Sequence, residues 1–273
     1  MLLKQKMRLL TEQRKGLLAT NFYNLETLHG VLRAASELNQ PLILQLTNSS
    51  IDYMGLNTAV NSAKTGLKDY GVEGWLHLDH GSSVELAQAC LDAGFDSVMI
   101  DGSELPFEEN IKITKEVVKR ASSYNANVEA ELGYVAKLGQ AHTQMGFTRA
   151  AEAETFVEET GVDALAIAIG TAHGFYKEEP KLQFELLADI HSRIRSILVL
   201  HGGSGVPAEQ LQQAISLGIC KINLATEIKN IFMKTLQSIL KQTEEIDLRK
   251  VFPKATHSVT QLVKEKLIIV QNN

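Results

Sequence analysis

The chain has 273 residues, 44% of them hydrophobic, and carries 27 Lys plus Arg against 32 Asp plus Glu, for a net charge of −5. That balance, with no basic stripe interleaved with aromatics, argues against a nucleic-acid partner. With only 5 Pro, an ordinary 19 Gly and no low-complexity tract, nothing marks a linker, so one folded domain over residues 1–273 is expected.

Met1 to Leu10 alternates Leu with Lys4, Lys6 and Arg8. Without a continuous apolar run it reads as neither a signal peptide nor a membrane span, and a cytoplasmic location is expected. Eight short runs rich in β-branched and aliphatic residues follow: Leu17 to Phe22, Leu42 to Thr47, Trp75 to His80, Ser97 to Ser103, Asn127 to Gly133, Leu165 to Gly170, Leu198 to Gly203 and Lys221 to Thr226. Several are almost continuously apolar, as parallel strands covered on both faces are. Amphipathic helices are expected between them at Leu25 to Leu38, Glu108 to Arg120, Ala150 to Glu159 and Leu182 to Ile194, with one more from Pro207 to before Gly218. A further helix, Val84 to Ala93, is closed by Gly94 and preceded by Ser82 and Glu85 at capping-box spacing. Eight strand–helix units in this length predict a (β/α)8 TIM barrel. A doubly wound open sheet is the alternative, but the even count and the lack of an early Gly-x-Gly-x-x-Gly favour closure. Cys90 and Cys220 lack the close spacing of a metal or redox motif and read as small buried hydrophobes.

The same end of nearly every run is polar. Asn21 closes the first, Thr47 the second, Asp79 and His80 the third, Asp101 the fourth and Glu131 the fifth. His173 follows the sixth, His201 ends the seventh, and Asn223 with Thr226 ends the eighth. Strands of a barrel core need only aliphatic side chains, and catalytic groups of this fold gather at the C-terminal rim. His80, His173 and His201 are too far apart for a local ligand motif, but closing the barrel would bring them together. Three imidazoles with an open position suit a catalytic zinc acting as a Lewis acid on a substrate oxygen. Gly202-Gly203-Ser204-Gly205 and Asn223-Leu224-Ala225-Thr226 fall after strands seven and eight, where barrels hold phosphate through backbone N–H groups and hydroxyls. Residues alone therefore point to a phosphorylated substrate beside a Lewis acid.

His77-Leu78-Asp79-His80-Gly81, Met99-Ile100-Asp101-Gly102-Ser103, Glu129-Ala130-Glu131-Leu132-Gly133, Ala168-Ile169-Gly170-Thr171-Ala172-His173-Gly174 and Leu200-His201-Gly202-Gly203-Ser204-Gly205 together resemble the class II, zinc-dependent ketose-bisphosphate aldolases. The resemblance implies reversible cleavage of fructose or tagatose 1,6-bisphosphate to dihydroxyacetone phosphate and glyceraldehyde 3-phosphate. It implies His80, His173 and His201 as zinc ligands, Asp79 as the acid/base on the C4 hydroxyl, and Asp101 with Glu131 as a second cation site, with a monovalent cation as a further cofactor. Gly174, Gly202, Gly203, Ser204, Asn223, Leu224, Ala225 and Thr226 match the site for the dihydroxyacetone phosphate half. Asn21 and Thr47 match further substrate contacts, the second being usually a Ser in the family. A homodimer or homotetramer is implied as well.

The alternative aldolase chemistry needs a Schiff-base Lys on an inner strand, and Lys221, expected at the N-terminal end of its strand, is poorly placed for it. The loop after the fifth strand departs from the family, because no Asp or Glu occurs between Glu131 and Glu152. Its expected closure over the substrate leaves His142, Tyr134 or water to handle the enediolate carbon. Ala225 stands where fructose-type relatives often carry Asp and tagatose-type relatives Ala. Two rivals share these residues: an aldolase of another phosphorylated sugar, and a catalytically weak sugar-phosphate-binding barrel.

Overall fold

The computed structural model describes residues 1–133, the backbone of 136–137, and residues 146–176 and 178–271. Eight parallel strands form the barrel: β1 (Leu17–Asn21), β2 (Leu42–Thr47), β3 (Gly74–Gly81), β4 (Ser97–Ile100), β5 (Asn127–Leu132), β6 (Ala164–Ile167), β7 (Ile197–Leu200) and β8 (Ile219–Leu224). Each pairs with the next, and β1 closes on β8 from Leu17↔Lys221 to Thr20↔Leu224, which removes the open-sheet alternative. The fourth, sixth and seventh strands stop short of the expected ends because the chain leaves the ladder where it turns toward the rim.

Around the barrel lie α1 (Leu3–Glu12), α2 (Leu25–Leu38), α3 (Asn48–Met54), α4 (Leu56–Asp69), α5 (Val84–Ala93) and α6 (Phe107–Ala121). After them come α7 (Ala150–Thr160), α8 (Phe184–Arg193), α9 (Ala208–Ser216), α10 (Thr226–Leu240) and α11 (Leu248–Gln271). The cap of α5 is Ser83, not Ser82: its hydroxyl accepts the Leu86 N–H at 3.1 Å. The longest helix, α11, packs on α2 at Gly30, where a Cβ would come within 2.9 Å of the Thr256 carbonyl. No helix among the described residues is long and apolar enough to cross a membrane.

Alternation along the strands sorts side chains into two cores. Leu18, Leu44, Leu76, Val98, Val128, Leu165 and Leu198 face the helices. Leu17, Ile43, Trp75, Ile197 and Cys220 face the lower barrel interior, where Leu3, Met7 and Leu10 of α1 plug it. Above that apolar floor the interior turns polar: Gln45, His77, Ser97, Glu129 and Lys221 are at most 1% exposed. A bulge at Cys220 shifts the β7–β8 register and lets Lys221 share the interior with its neighbour. Lys221 is thus the third residue of its strand and faces inward, a correction to its expected place at the strand's start.

Candidate active site

A cleft of about 710 Å³ opens at the C-terminal rim. Its floor is set by an irregularity in β3. Between Leu78↔Val98 and Gly81↔Ile100, two residues, Asp79 and His80, oppose the single Met99. His80 takes the left-handed backbone at φ 50°, which L side chains adopt at a cost of roughly 1–2 kcal/mol. Neighbours on a strand normally point to opposite faces; here the bulge turns both side chains into the cleft. Gly81 permits it, since a Cβ there would collide with the Met99 carbonyl and the Leu78 side chain. The strand therefore runs through Gly81, one residue past its expected end at His80, and the pair is held within it.

Asp79 is almost buried and sits in a cradle of amides. Asn21 Nδ2 donates to Oδ2 at 3.2 Å, Gln45 Nε2 to the same oxygen at 3.4 Å, and Asn223 Nδ2 to Oδ1 at 3.2 Å. Gln45 Nε2 also donates to Asn21 Oδ1 at 2.8 Å, fixing the Asn21 amide. Burial opposes charge on Asp79, but the neighbouring cations, His80 foremost, and the Asn21 hydrogen bond override it and hold the carboxyl below its usual range. Asn21 and Asn223, expected as substrate contacts, are first of all supports for Asp79. Asn223 Oδ1 is buried and accepts no hydrogen bond among the described residues.

His80, His173 and His201 meet with one ligand atom of each within 4.8 Å of the others. The hydrogen-bond network assigns their faces. His80 Nδ1 lies 2.6 Å from Asp101 Oδ2, and His201 Nε2 lies 2.9 Å from Glu129 Oε1, so each ring donates outward to a carboxylate. The opposite nitrogens, His80 Nε2 and His201 Nδ1, face each other at 3.1 Å with Glu131 Oε2 3.3 Å from the second. Convergent lone pairs call for a cation between them, and two nitrogens bound tetrahedrally to zinc would stand about 3.3 Å apart. The donor set fits a divalent metal. Burial disfavours charge on His80, yet Asp79, the Asp101 hydrogen bond and Glu131 push its pKa up to about 9. Burial, with the charges of His80 and Lys221, keeps His201 neutral.

Asp101, expected in a second cation site, is engaged by His80 and by Ser103, whose N–H and hydroxyl donate to Oδ1. Among the described residues the histidine trio is the cluster with three possible ligands in reach, and neither Asp101 nor Glu131 belongs to it. Thr47 lies at the cleft, its hydroxyl accepting the Ser50 N–H at 3.3 Å as the cap of α3.

Gly174, Gly202, Ser204, Asn223, Ala225 and Thr226 line the cleft. Gly202, at φ 68°, packs so closely on Ala172 that a side chain would strike its backbone. Tyr176 clamps the two loops together, its hydroxyl donating to the Gly202 carbonyl at 2.9 Å and accepting the Ala172 N–H at 2.7 Å. The N-terminus of α10, beginning at Thr226, brings to the cleft a helix start of the kind that binds anions, with the Glu227 N–H donating to Ser204 Oγ at 3.4 Å. Leu224 sends its side chain into the outer core, and Gly203 gives its N–H to the Asn223 carbonyl, so neither presents a side chain to the cleft. The expected closure of the loop from Tyr134 to Gly146, with roles for Tyr134 or His142, lies outside the described residues.

The family pattern of fructose-bisphosphate aldolase, class II, matches residues 3–273. The chain is similar to the D-tagatose-1,6-bisphosphate aldolase subunit GatY of Klebsiella oxytoca, at 38% identity over 98% of this chain and 97% of that one. It is similar in structure to the YdjI aldolase of Escherichia coli K12, with a TM-score of 0.88 and 31% identity over 98% of this chain and 96% of that one. A putative fructose-1,6-bisphosphate aldolase from Coccidioides immitis superposes with a TM-score of 0.89 at 26% identity, again over 98% and 96% of the two chains.

Proposed function

The chain belongs to the class II fructose-bisphosphate aldolase family, and on that premise we propose that it cleaves tagatose 1,6-bisphosphate, with zinc held by His80, His173 and His201, to dihydroxyacetone phosphate and glyceraldehyde 3-phosphate. Its family makes it a carbon–carbon lyase acting on ketose bisphosphates. The observation that carries the zinc-dependent reading is the convergence of imidazole lone pairs beside a carboxylate that three amides hold in place.

When bound, zinc supplies a Lewis acid that stabilises negative charge developing on the ketose oxygens as the carbon–carbon bond breaks. Asp79 takes the C4 hydroxyl proton in cleavage and returns it in condensation. Its Oδ2 accepts from both Asn21 and Gln45, while Oδ1, 4.0 Å from His80 Nε2, accepts among the described residues from Asn223, so Oδ1 is the oxygen that works. Ser204, the backbone at Gly174 and Gly202, and the start of α10 at Thr226 hold the phosphate of the dihydroxyacetone half. Lys221 forms no Schiff base, because it lies beneath the cleft and is bound to Glu129 at 2.8 Å.

The tagatose assignment rests on Ala225 and on the similarity to the tagatose-bisphosphate aldolase subunit. Tagatose and fructose bisphosphates differ at C4, the carbon whose hydroxyl meets Asp79. Steady-state cleavage of both should give the higher kcat/KM for tagatose 1,6-bisphosphate. A fructose preference of tenfold or more, about 1.4 kcal/mol in the transition state, would overturn the substrate assignment.

A further inference from the structure

A chain of buried polar groups runs below the cleft and meets the histidine trio at His201. Glu129 accepts from His201 Nε2 through Oε1 at 2.9 Å and from Lys221 Nζ through Oε2 at 2.8 Å. Lys221 Nζ lies 3.2 Å from His77 Nε2, and His77 Nδ1 lies 2.8 Å from Ser97 Oγ, which also accepts from Asn127. An ammonium can only donate, so His77 Nε2 accepts and its Nδ1–H donates to Ser97. Glu129, His77 and Ser97 are fully buried and Lys221 is 1% exposed, so water cannot replace any of these partners. A buried ammonium and carboxylate are expensive, and a barrel floor built for stability alone would be apolar, as the layer beneath it is.

We infer that Glu129, with its second oxygen locked by Lys221, is a positioning residue that fixes the His201 tautomer and so presents the Nδ1 lone pair to the metal. The inference rests on the reading of His201 as a zinc ligand. A carboxylate accepts at both oxygens and so allows one assignment: His201 protonated at Nε2, bare at Nδ1. An amide in its place must choose. In Glu129→Gln the ammonium of Lys221 claims the amide oxygen, the NH2 group turns to His201, and the imidazole is forced into the other tautomer with Nδ1–H aimed at the metal. Lys221 thereby decides which way the amide faces, and removing its charge should release it.

The experiment is a chelator-competition measurement of zinc affinity on the full chain, with far-ultraviolet circular dichroism and thermal unfolding of the metal-free proteins as the check on folding. Glu129→Gln should bind zinc about 10- to 100-fold more weakly, in line with the loss of an outer partner of a ligating histidine. The double variant Glu129→Gln/Lys221→Met, in which the amide oxygen is free to face His201, should recover most of that loss. A purely structural role for the buried pair predicts that the double variant is no better than Glu129→Gln, and that result would overturn the inference. Glu129→Gln with wild-type zinc affinity would overturn it as well. His201→Ala separates the two levels: if it too binds zinc as wild type does, the ligand reading is wrong, whereas its loss beside an unaffected Glu129→Gln condemns the positioning role alone. Should Glu129→Gln fail to fold, Lys221→Met supplies the independent arm, since it leaves the carboxylate on His201 and should keep zinc affinity within about threefold; a larger drop would contradict the assignment of tautomer control to Glu129.

Discussion

Asp79 shows how a single side chain acquires its task from its neighbours. Three amides anchor it, and the free lone pair of Oδ1 faces the histidines. General acid–base catalysis contributes roughly 10²–10⁴-fold, so Asp79→Ala should lower kcat for cleavage by at least about 10²-fold. Exchange of the dihydroxyacetone phosphate carbon proton needs the metal but not the C4 hydroxyl and should survive much better; if both fall together, Asp79 serves binding instead of proton transfer. His80 carries a second residue-scale consequence. With its pKa raised to about 9 by the carboxylates around it, its proton and zinc compete for Nε2 throughout the neutral range. Apparent zinc affinity should therefore rise about tenfold per pH unit between pH 6.5 and 8.5, with about one proton released per zinc bound. A pH-independent affinity, measured by chelator competition with proton release followed in two buffers, would show that His80 is neutral before metal arrives.

At the scale of the element, β3 joins backbone strain to site geometry. Its bulge and the left-handed His80 direct two consecutive side chains into one cleft, and Gly81 makes room for the Met99 carbonyl. Gly81→Ala should destabilise the fold by about 1–3 kcal/mol, the range for forcing an extra methyl into a filled site, and weaken zinc binding at the same time. Chemical denaturation alongside zinc titration checks this; a stable variant with intact zinc affinity would mean the bulge does not set the ligand geometry. The expected strands β2 and β5 agree with the structure to within a residue, and the helices Leu25–Leu38 and Val84–Ala93 have the expected bounds, because their apolar periods and end signals are local. The bulges at His80 and Cys220 left no such trace, since a ladder's register depends on a partner strand remote in sequence. That is why Lys221 was expected at a strand start and the strand of Asp79 to stop at His80. Gln45, Glu129 and His77 escaped notice as functional groups for a related reason: they lie mid-strand, where a polar residue has meaning only once closure shows what it faces. A lone Gln in Leu42-Ile43-Leu44-Gln45-Leu46 was the available signal. Helix α1 was not among the expected helices, although Leu3, Met7 and Leu10 recur at helical spacing, and its place as the barrel plug depends on closure.

Across the whole molecule, the two ends of the barrel are specialised. The lower end is closed by α1 over an apolar layer, and the upper end gathers the histidines, Asp79 and the start of α10. Between them the Glu129–Lys221 layer separates what holds the fold from what does the chemistry. Residues on five strands, β1, β2, β3, β5 and β8, and in the segments after β4, β6 and β7 converge only because β1 closes on β8, so the polar strand ends were readable one by one while the cleft they form was not. On the proposed function, cleavage requires one zinc at this convergence. Its most direct test is the rate of tagatose 1,6-bisphosphate cleavage by the chain after chelator treatment, followed by stepwise return of zinc. Cleavage should disappear with the metal and return linearly until one zinc per chain is bound. Undiminished cleavage by protein shown to be free of metal would contradict it.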